Sequence, residues 1–310
     1  MDIWSTVLVI IGLGLFETVS SIDNAIINAE VLATMQARAR RWFLVWGMFI
    51  AVFLVRGLLP WLIVWLATPG IGPVEALTAT FSNDPRVLEA IEAAAPVLLI
   101  GGGTFLVSLF FHWLFLEDKR FGLPHEPVFM KAGIWFYAVI SVFLSALVWF
   151  ALKADPLLAF GATVGSTAFF ITHGFKAQAS RSEQQLLHDK GAMSDISKIF
   201  YLEAIDATFS IDGVLGAFAF TFSVPLILLG NGIGALVVRQ LTIGNVERIK
   251  KYAYLKNGAM YSVLVLGAIM LAEAFGAHVP HWASPLATVI VIAYFFWRSV
   301  RDQDRTPAIL

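Results

Sequence analysis

The chain has 310 residues, of which 58% are hydrophobic and only 14% charged, and its mean hydropathy is +0.78. A soluble domain carries about 25% charged residues, so secreted enzymes, nucleic-acid-binding domains and disordered regulators are excluded. Net charge is −1, and the absence of cysteine removes disulfides, thiolate metal sites and cysteine nucleophiles.

The apolar residues form nine runs, each close to the roughly 20 residues that a bilayer span needs. They read 3–32, 42–67, 92–116, 132–152, 157–175, 199–222, 224–244, 254–275 and 285–300. The expected fold class is therefore all-α, a polytopic membrane protein of about nine transmembrane helices. Acidic Glu17 interrupts the first run and no basic region precedes it, so the first span is expected to stay and not be cleaved as a signal peptide. Asp84-Pro85, Asp155-Pro156 and Ser284-Pro285 each pair a capping residue with a proline suited to the first helical position. Ser194-Asp195 offers a start for the sixth helix, and Pro96 is expected to kink the third. The longest irregular stretches are expected at 68–84 and at the polar 176–198.

Basic residues decide orientation. Seventeen of the 21 Lys and Arg fall in loops one–two, three–four, five–six and seven–eight or in the C-terminal end; two, Arg86 and Lys153, fall in the alternate loops. That bias predicts a multi-pass protein of the cell membrane with the N-terminus outside and the C-terminus cytoplasmic.

The chain also repeats itself. Glu17 to Asn24 aligns with Asp206 to Gly213, with an acid, Ser21/Ser210, Ile22/Ile211 and Asp23/Asp212 in register. Gly47 to Arg56 aligns with Gly230 to Arg239, with Ile50/Ile233 and Val55/Val238 between, and Gly102 to Glu117 aligns more weakly with Gly258 to Glu273. Helices 1–3 and 6–8 thus read as an inverted-topology repeat of three helices, an architecture of secondary transporters. A single membrane domain over 1–310 would comprise repeat one at 3–117, inserted helices 4 and 5 at 132–175, repeat two at 199–275, and a last helix with its tail at 285–310.

Charged groups at membrane depth demand a partner or a function. Glu17, Asp23, Asp206 and Asp212 lie well inside helices 1 and 6, with Ser21, Asn24 and Ser210 as neutral oxygen donors nearby. An all-oxygen set suits Mg²⁺, Ca²⁺ or Mn²⁺. Residues six apart on a helix point about 120° away from each other, so a single site for all four acids requires both helices to unwind near Ser20-Ser21 and Ser210–Gly213. Arg56 and Arg239 read as charge-balancing or gating groups, one toward each side of the midplane. Asn231 adds a polar group, and Glu203 stands on the same helical face as Asp206 to pass ions inward. Glu117 and Glu273 are expected at the interface, and His112 reads as a packing residue. Motifs of metalloproteases, serine hydrolases and nucleotide-binding loops are missing. The chain is therefore expected not to be an enzyme, and its transport to be driven by a gradient.

Glu17 through Asn24 resembles the first motif of the TerC family of integral membrane proteins, within the LysE-type transporter superfamily. Asp206 through Asp212, Gly230-Asn231 leading to Arg239, Lys256-Asn257-Gly258 and His278-Val279-Pro280 are similar to its later landmarks. That family's second motif usually continues Asp-Ser-Ile-Pro-Ala, whereas Gly213-Val214-Leu215 follows Asp212 here. The resemblance implies export, with Mn²⁺ as the divalent cation and the four acids as its ligands. The expected function is a secondary transporter exporting a divalent cation by alternating access, with the metal as cargo and no catalytic cofactor. Expected partners are the metal ion and the bilayer, with a homo-oligomer left open and nucleic acid excluded. Its rivals are an exporter of a small cationic metabolite and a membrane assembly factor without transport.

Overall fold

The computed structural model describes residues 3–50, 56–68, 70–78, 85–188, 194–244 and 251–305, and all regular structure among them is helical. Val55 and Asp84, used above as repeat and cap landmarks, lie outside the described residues, as do Lys190, Arg248 and Lys250, three of the seventeen basic residues counted above. The first apolar run is α1 (Ile3–Ser20) followed by α2 (Ile22–Ala33), broken only at Ser21. The second run comprises α3 (Ala37–Trp42), a π-helical turn (Phe43–Gly47), α4 (Met48–Ile50) and α5 (Arg56–Ala67). A short α6 (Pro73–Thr78) precedes the long α7 (Pro85–Leu116). Then come α8 (Glu126–Lys131), a 3₁₀ turn (Gly133–Trp135), α9 (Phe136–Ala154) and α10 (Pro156–His188). The last four are α11 (Asp195–Ala217), α12 (Val224–Gly244), α13 (Leu255–Ala274) and α14 (Ala283–Arg305).

Seven helical stretches among the described residues are long and apolar enough to cross a membrane: Ile3–Ser20, Pro85–Leu116, Gly133–Ala154, Pro156–Gln178, Val224–Ile243, Leu255–Ala274 and Ala283–Gln303. The other two expected spans fall outside that set for different reasons. Arg56–Ala67 is apolar but shorter, and α11 is long enough but carries Asp195, Lys198, Glu203, Asp206 and Asp212.

Local chemistry accounts for several ends. Ser194 caps α11 by accepting from the Ser197 amide at 3.2 Å, and Asp155 caps α10 by accepting from the Leu157 amide at 2.8 Å. α14 begins at Ala283, one residue before the expected cap, and Pro96 lies within a helix that runs unbroken from Pro85 to Leu116. α13 stops at Gly276, whose φ of 88° is open to glycine; the Ala277 amide reaches back to the Ala272 carbonyl at 3.0 Å. Two expectations are corrected here. α6 stands within the stretch 68–84, and 176–198 is not a loop throughout, because α10 continues to His188. Helical hydrogen bonding does not require apolar side chains, and no Gly or Pro interrupts residues 175–188.

In the packing, α7 lies against both α13 and α10, α1 against α12, α11 against α5, and α13 against α14. Small residues permit the closest crossings. A side chain at Gly165 of α10 would collide with the Gly101 backbone of α7, and one at Gly230 of α12 would meet Leu13 of α1 at 2.5 Å. Lipid tails are as apolar as the helices, so close van der Waals contact replaces water exclusion as the main attraction between them. Around α7 the core is aromatic, with Phe105, Trp113, Phe136 and Phe169 almost fully buried.

Candidate functional site

Helix geometry sorts the four acids into two pairs. α11 is continuous through Ser210–Gly213, and the break at Ser21 is slight. The Ser21 amide still reaches the Glu17 carbonyl at 3.1 Å, and the Ala25 amide the Ser21 carbonyl at 3.0 Å. Because both motifs keep the same six-residue spacing on nearly regular helix, each presents its two acids in different directions. Glu17 meets Asp206 through a shared arginine, while Asp23 and Asp212 line a separate cavity. The expected single four-acid site is thereby corrected: neither helix unwinds enough to form it.

The first pair is buried and compensated by Arg56 of α5. Its Nη2 lies 2.7 Å and its Nε 2.8 Å from Glu17 Oε1, and its Nη1 donates to Asp206 Oδ2 at 3.2 Å. Arg56 is 3% exposed and Glu17 1%. Ser21 Oγ donates to the same Glu17 oxygen at 2.8 Å, and Asn24 Nδ2 donates to Asp206 Oδ1. Ser210 instead donates back to the Asp206 carbonyl. Gly213 and Gly234 make room for Glu17, since a Cβ on either would lie 2.5 Å from Oε2 or 2.6 Å from Cβ of that side chain.

Beside this cluster Asn28, Arg56, Glu203, Asp206 and Arg239 line a cavity of about 30 Å³, room for roughly one water. Both arginines border the same cavity, so the expected gate on each side of the midplane is corrected to a single location. Among the described residues, Glu203 Oε1, Arg239 Nε and Asn28 Oδ1 on its wall have no hydrogen-bond partner, and the fully buried Asn231 amide of α12 has none at either end.

The second pair opens on a cavity of about 490 Å³. Asp23 Oδ2 binds Lys256 Nζ at 2.7 Å, Lys256 binds Glu117 Oε2 at 2.9 Å, and Glu117 Oε1 lies 3.3 Å from His112 Nδ1. Lys176 of α10 pairs with Asp212 Oδ2, while Asp212 Oδ1 is buried and accepts no hydrogen bond among the described residues. The rings of His112 and His173 lie 4.0 Å apart between centroids and face the same space. Burial works to raise the Glu117 carboxyl. The His112 hydrogen bond and the Lys256 ammonium outweigh it and hold the group below the usual carboxylate range.

Sequence reasoning missed Lys176, Lys256, Glu117, His112 and His173 as members of one site. Lys176, expected in an irregular stretch, stands on α10; the signal for it is that no helix stop follows Phe175. Glu117, expected at the interface, directly follows the membrane-crossing stretch of α7 and is ion-paired there. Glu273 borders a cavity of about 630 Å³ with Thr221, His278 and His281 at the opposite end of α11 and α13. Among the described residues, no group of three or more His, Cys, Asp or Glu is arranged to hold a metal ion. Asn257 serves as a tie: its Nδ2 donates to the fully buried Glu126 at 3.1 Å and to the Arg120 carbonyl at 3.0 Å.

Comparison with known proteins places the chain in a family. The family described as "Protein of unknown function (DUF475)" matches residues 22–306, so the chain belongs to it. The resemblance to the TerC family is thereby corrected; its carriers were short runs of acid, serine and small residues, too few to define a family. An uncharacterized membrane protein of Bacillus subtilis (strain 168), YceF, is 30% identical over 97 residues, which cover 31% of this chain. The chain spans 37% of that relative's length. No solved structure matches. Seven apolar helices together with a membrane-protein relative establish a multi-pass, all-helical membrane protein.

Proposed function

We propose that this protein is a secondary transporter that moves a small charged solute by alternating access through the 490 Å³ cavity. The observation that carries the reading is the cavity itself, lined by Asp23, Glu117, Lys176, Asp212 and Lys256 from five different segments of an apolar helix bundle. Charges so placed are retained in membrane proteins chiefly along solute and ion pathways. Helix pairing supports an inverted repeat behind this motion. α1 packs on α12 and α11 on α5, while α7 packs on α13. Exchange of partners in this way is what two superimposable, oppositely directed units of three helices produce. With α5 and α11 counted, the reading has nine spans in the cell membrane, the N-terminus outside, and no enzymatic step or resident cofactor.

A divalent cation is the narrower reading suggested by the oxygen donors alone. It requires Asp23 and Asp212 to leave Lys256 and Lys176, which the ion then displaces. Both readings are tested by reconstituting the protein in liposomes and following uptake of Mn²⁺, putrescine and γ-aminobutyrate under imposed gradients. Flux of at least one solute above that of empty liposomes, abolished by Asp212→Asn, is the expected result. Folded protein that moves none of them overturns transport in favour of an assembly role.

A further inference from the structure

The chemistry of the large cavity narrows its ligand. We propose that it binds a small zwitterionic solute, whose cationic end is taken by Asp23 and Asp212 and whose anionic end is taken by Lys176 and Lys256. The proposal rests on the transport reading above and specifies its substrate class.

Size is the first argument. At about 490 Å³ the cavity is far larger than a bare ion needs and lies in the range of roughly 300–1,000 Å³ that accommodates small organic ligands. Charge is the second. Each inward acid is already paired with a lysine, Asp23 with Lys256 and Asp212 with Lys176. A bare cation competes with a lysine for its carboxylate, and a bare anion competes with a carboxylate for its lysine. That competition costs most at Asp212 and Lys176, whose side chains are only 15% and 18% exposed. A zwitterion meets both signs at once, its ammonium at the carboxylate and its carboxylate at the lysine.

A further feature fits this ligand. Much of the remaining wall is apolar, with Ile26, Ile27, Leu109, Phe169 and Met260, which suits a short methylene chain. The neighbouring Glu117 is engaged by both Lys256 and His112 and belongs to the scaffold of the lysine.

Thermal unfolding of the purified full-length protein tests the proposal with ligands matched in length and differing only in end groups. These are γ-aminobutyrate and δ-aminovalerate as zwitterions, putrescine and cadaverine as dications, succinate and glutarate as dianions, and Mn²⁺. A zwitterion should raise the Tm saturably by about 2–4 °C or more, beyond any matched dication, dianion or Mn²⁺. That response should disappear in the Lys176→Met/Asp212→Asn double variant, which removes both charges together and leaves neither orphaned. An equal or larger shift with a dication, a dianion or Mn²⁺ overturns the proposal, as does a cooperatively unfolding protein that responds to neither zwitterion. Flux separates this result from the broader reading. Asp212-dependent movement of putrescine or Mn²⁺ but of no zwitterion retains transport and overturns the substrate class. Zwitterion binding without flux retains the site and overturns transport.

Discussion

Glu17 occupies a slot cut by two glycines, and its carboxylate is held by an arginine buried as deeply as itself. Gly213→Ala would put a methyl group 2.5 Å from Glu17 Oε2. It is expected to destabilise the protein by about 1–3 kcal/mol through overpacking, read as a lowered Tm in detergent. Arg56→Met removes the cation shared by Glu17 and Asp206. A loss of about 3–5 kcal/mol is expected because two buried carboxylates lose their compensation, and Asp206→Asn in the same background should restore part of it. Glu117 supplies the pH dependence. Its folded-state carboxyl is held below the ordinary value of 4.5, so its contribution is complete above the unfolded-state value and is lost as pH falls through the folded one. Below about pH 4.5 the Tm of the parent protein should therefore fall more steeply than that of Glu117→Gln. Equal slopes would remove Glu117 from the account.

At the scale of the element, the decisive quantity is the six-residue spacing shared by the two acidic motifs. On regular helix it separates the acids by about 120°, and because α11 remains regular the acids serve two sites in place of one. The acids and Arg56 were legible as functional candidates because charge at membrane depth is conspicuous in an apolar sequence. Their partners were not. Lys176 reaches Asp212 from a helix that outlasts its own membrane-crossing stretch, and periodicity of apolar residues carries no information about where a polar helix ends. The crossing of α7 and α10 makes a second testable feature at this scale. Gly165→Leu should separate the helices at Gly101 and reduce stability by about 1–3 kcal/mol or prevent folding. Gly174→Leu, on the same helix with nothing within 4 Å of its Cβ among the described residues, should leave the Tm almost unchanged.

For the whole molecule, the distribution of basic residues predicts which end of the bundle faces the cytoplasm. The native chain has no cysteine, so single-cysteine variants report accessibility without background. In intact cells an impermeant maleimide should label Ala277→Cys, beyond α13, and spare Lys251→Cys, before it; both positions are exposed. The reverse pattern would invert the orientation and place the mouth of the large cavity, at Glu117 and Lys256, outside.

The amino-acid sequence by itself determined that this is a helical membrane protein, where most of its spans begin and end, and which buried charges need an explanation. Those properties are local: hydropathy summed over about 20 residues, a cap beside a proline, an acid inside an apolar run. Which charge meets which was decided only by the tertiary structure. Glu17 and Arg56 are 39 residues apart, Lys176 and Asp212 36, and Asn24 and Asp206 182. Their meeting depends on how far each helix extends and on the glycines that let helices approach. Ion pairing is set by distances of a few ångströms, and those distances emerge only after the bundle has packed.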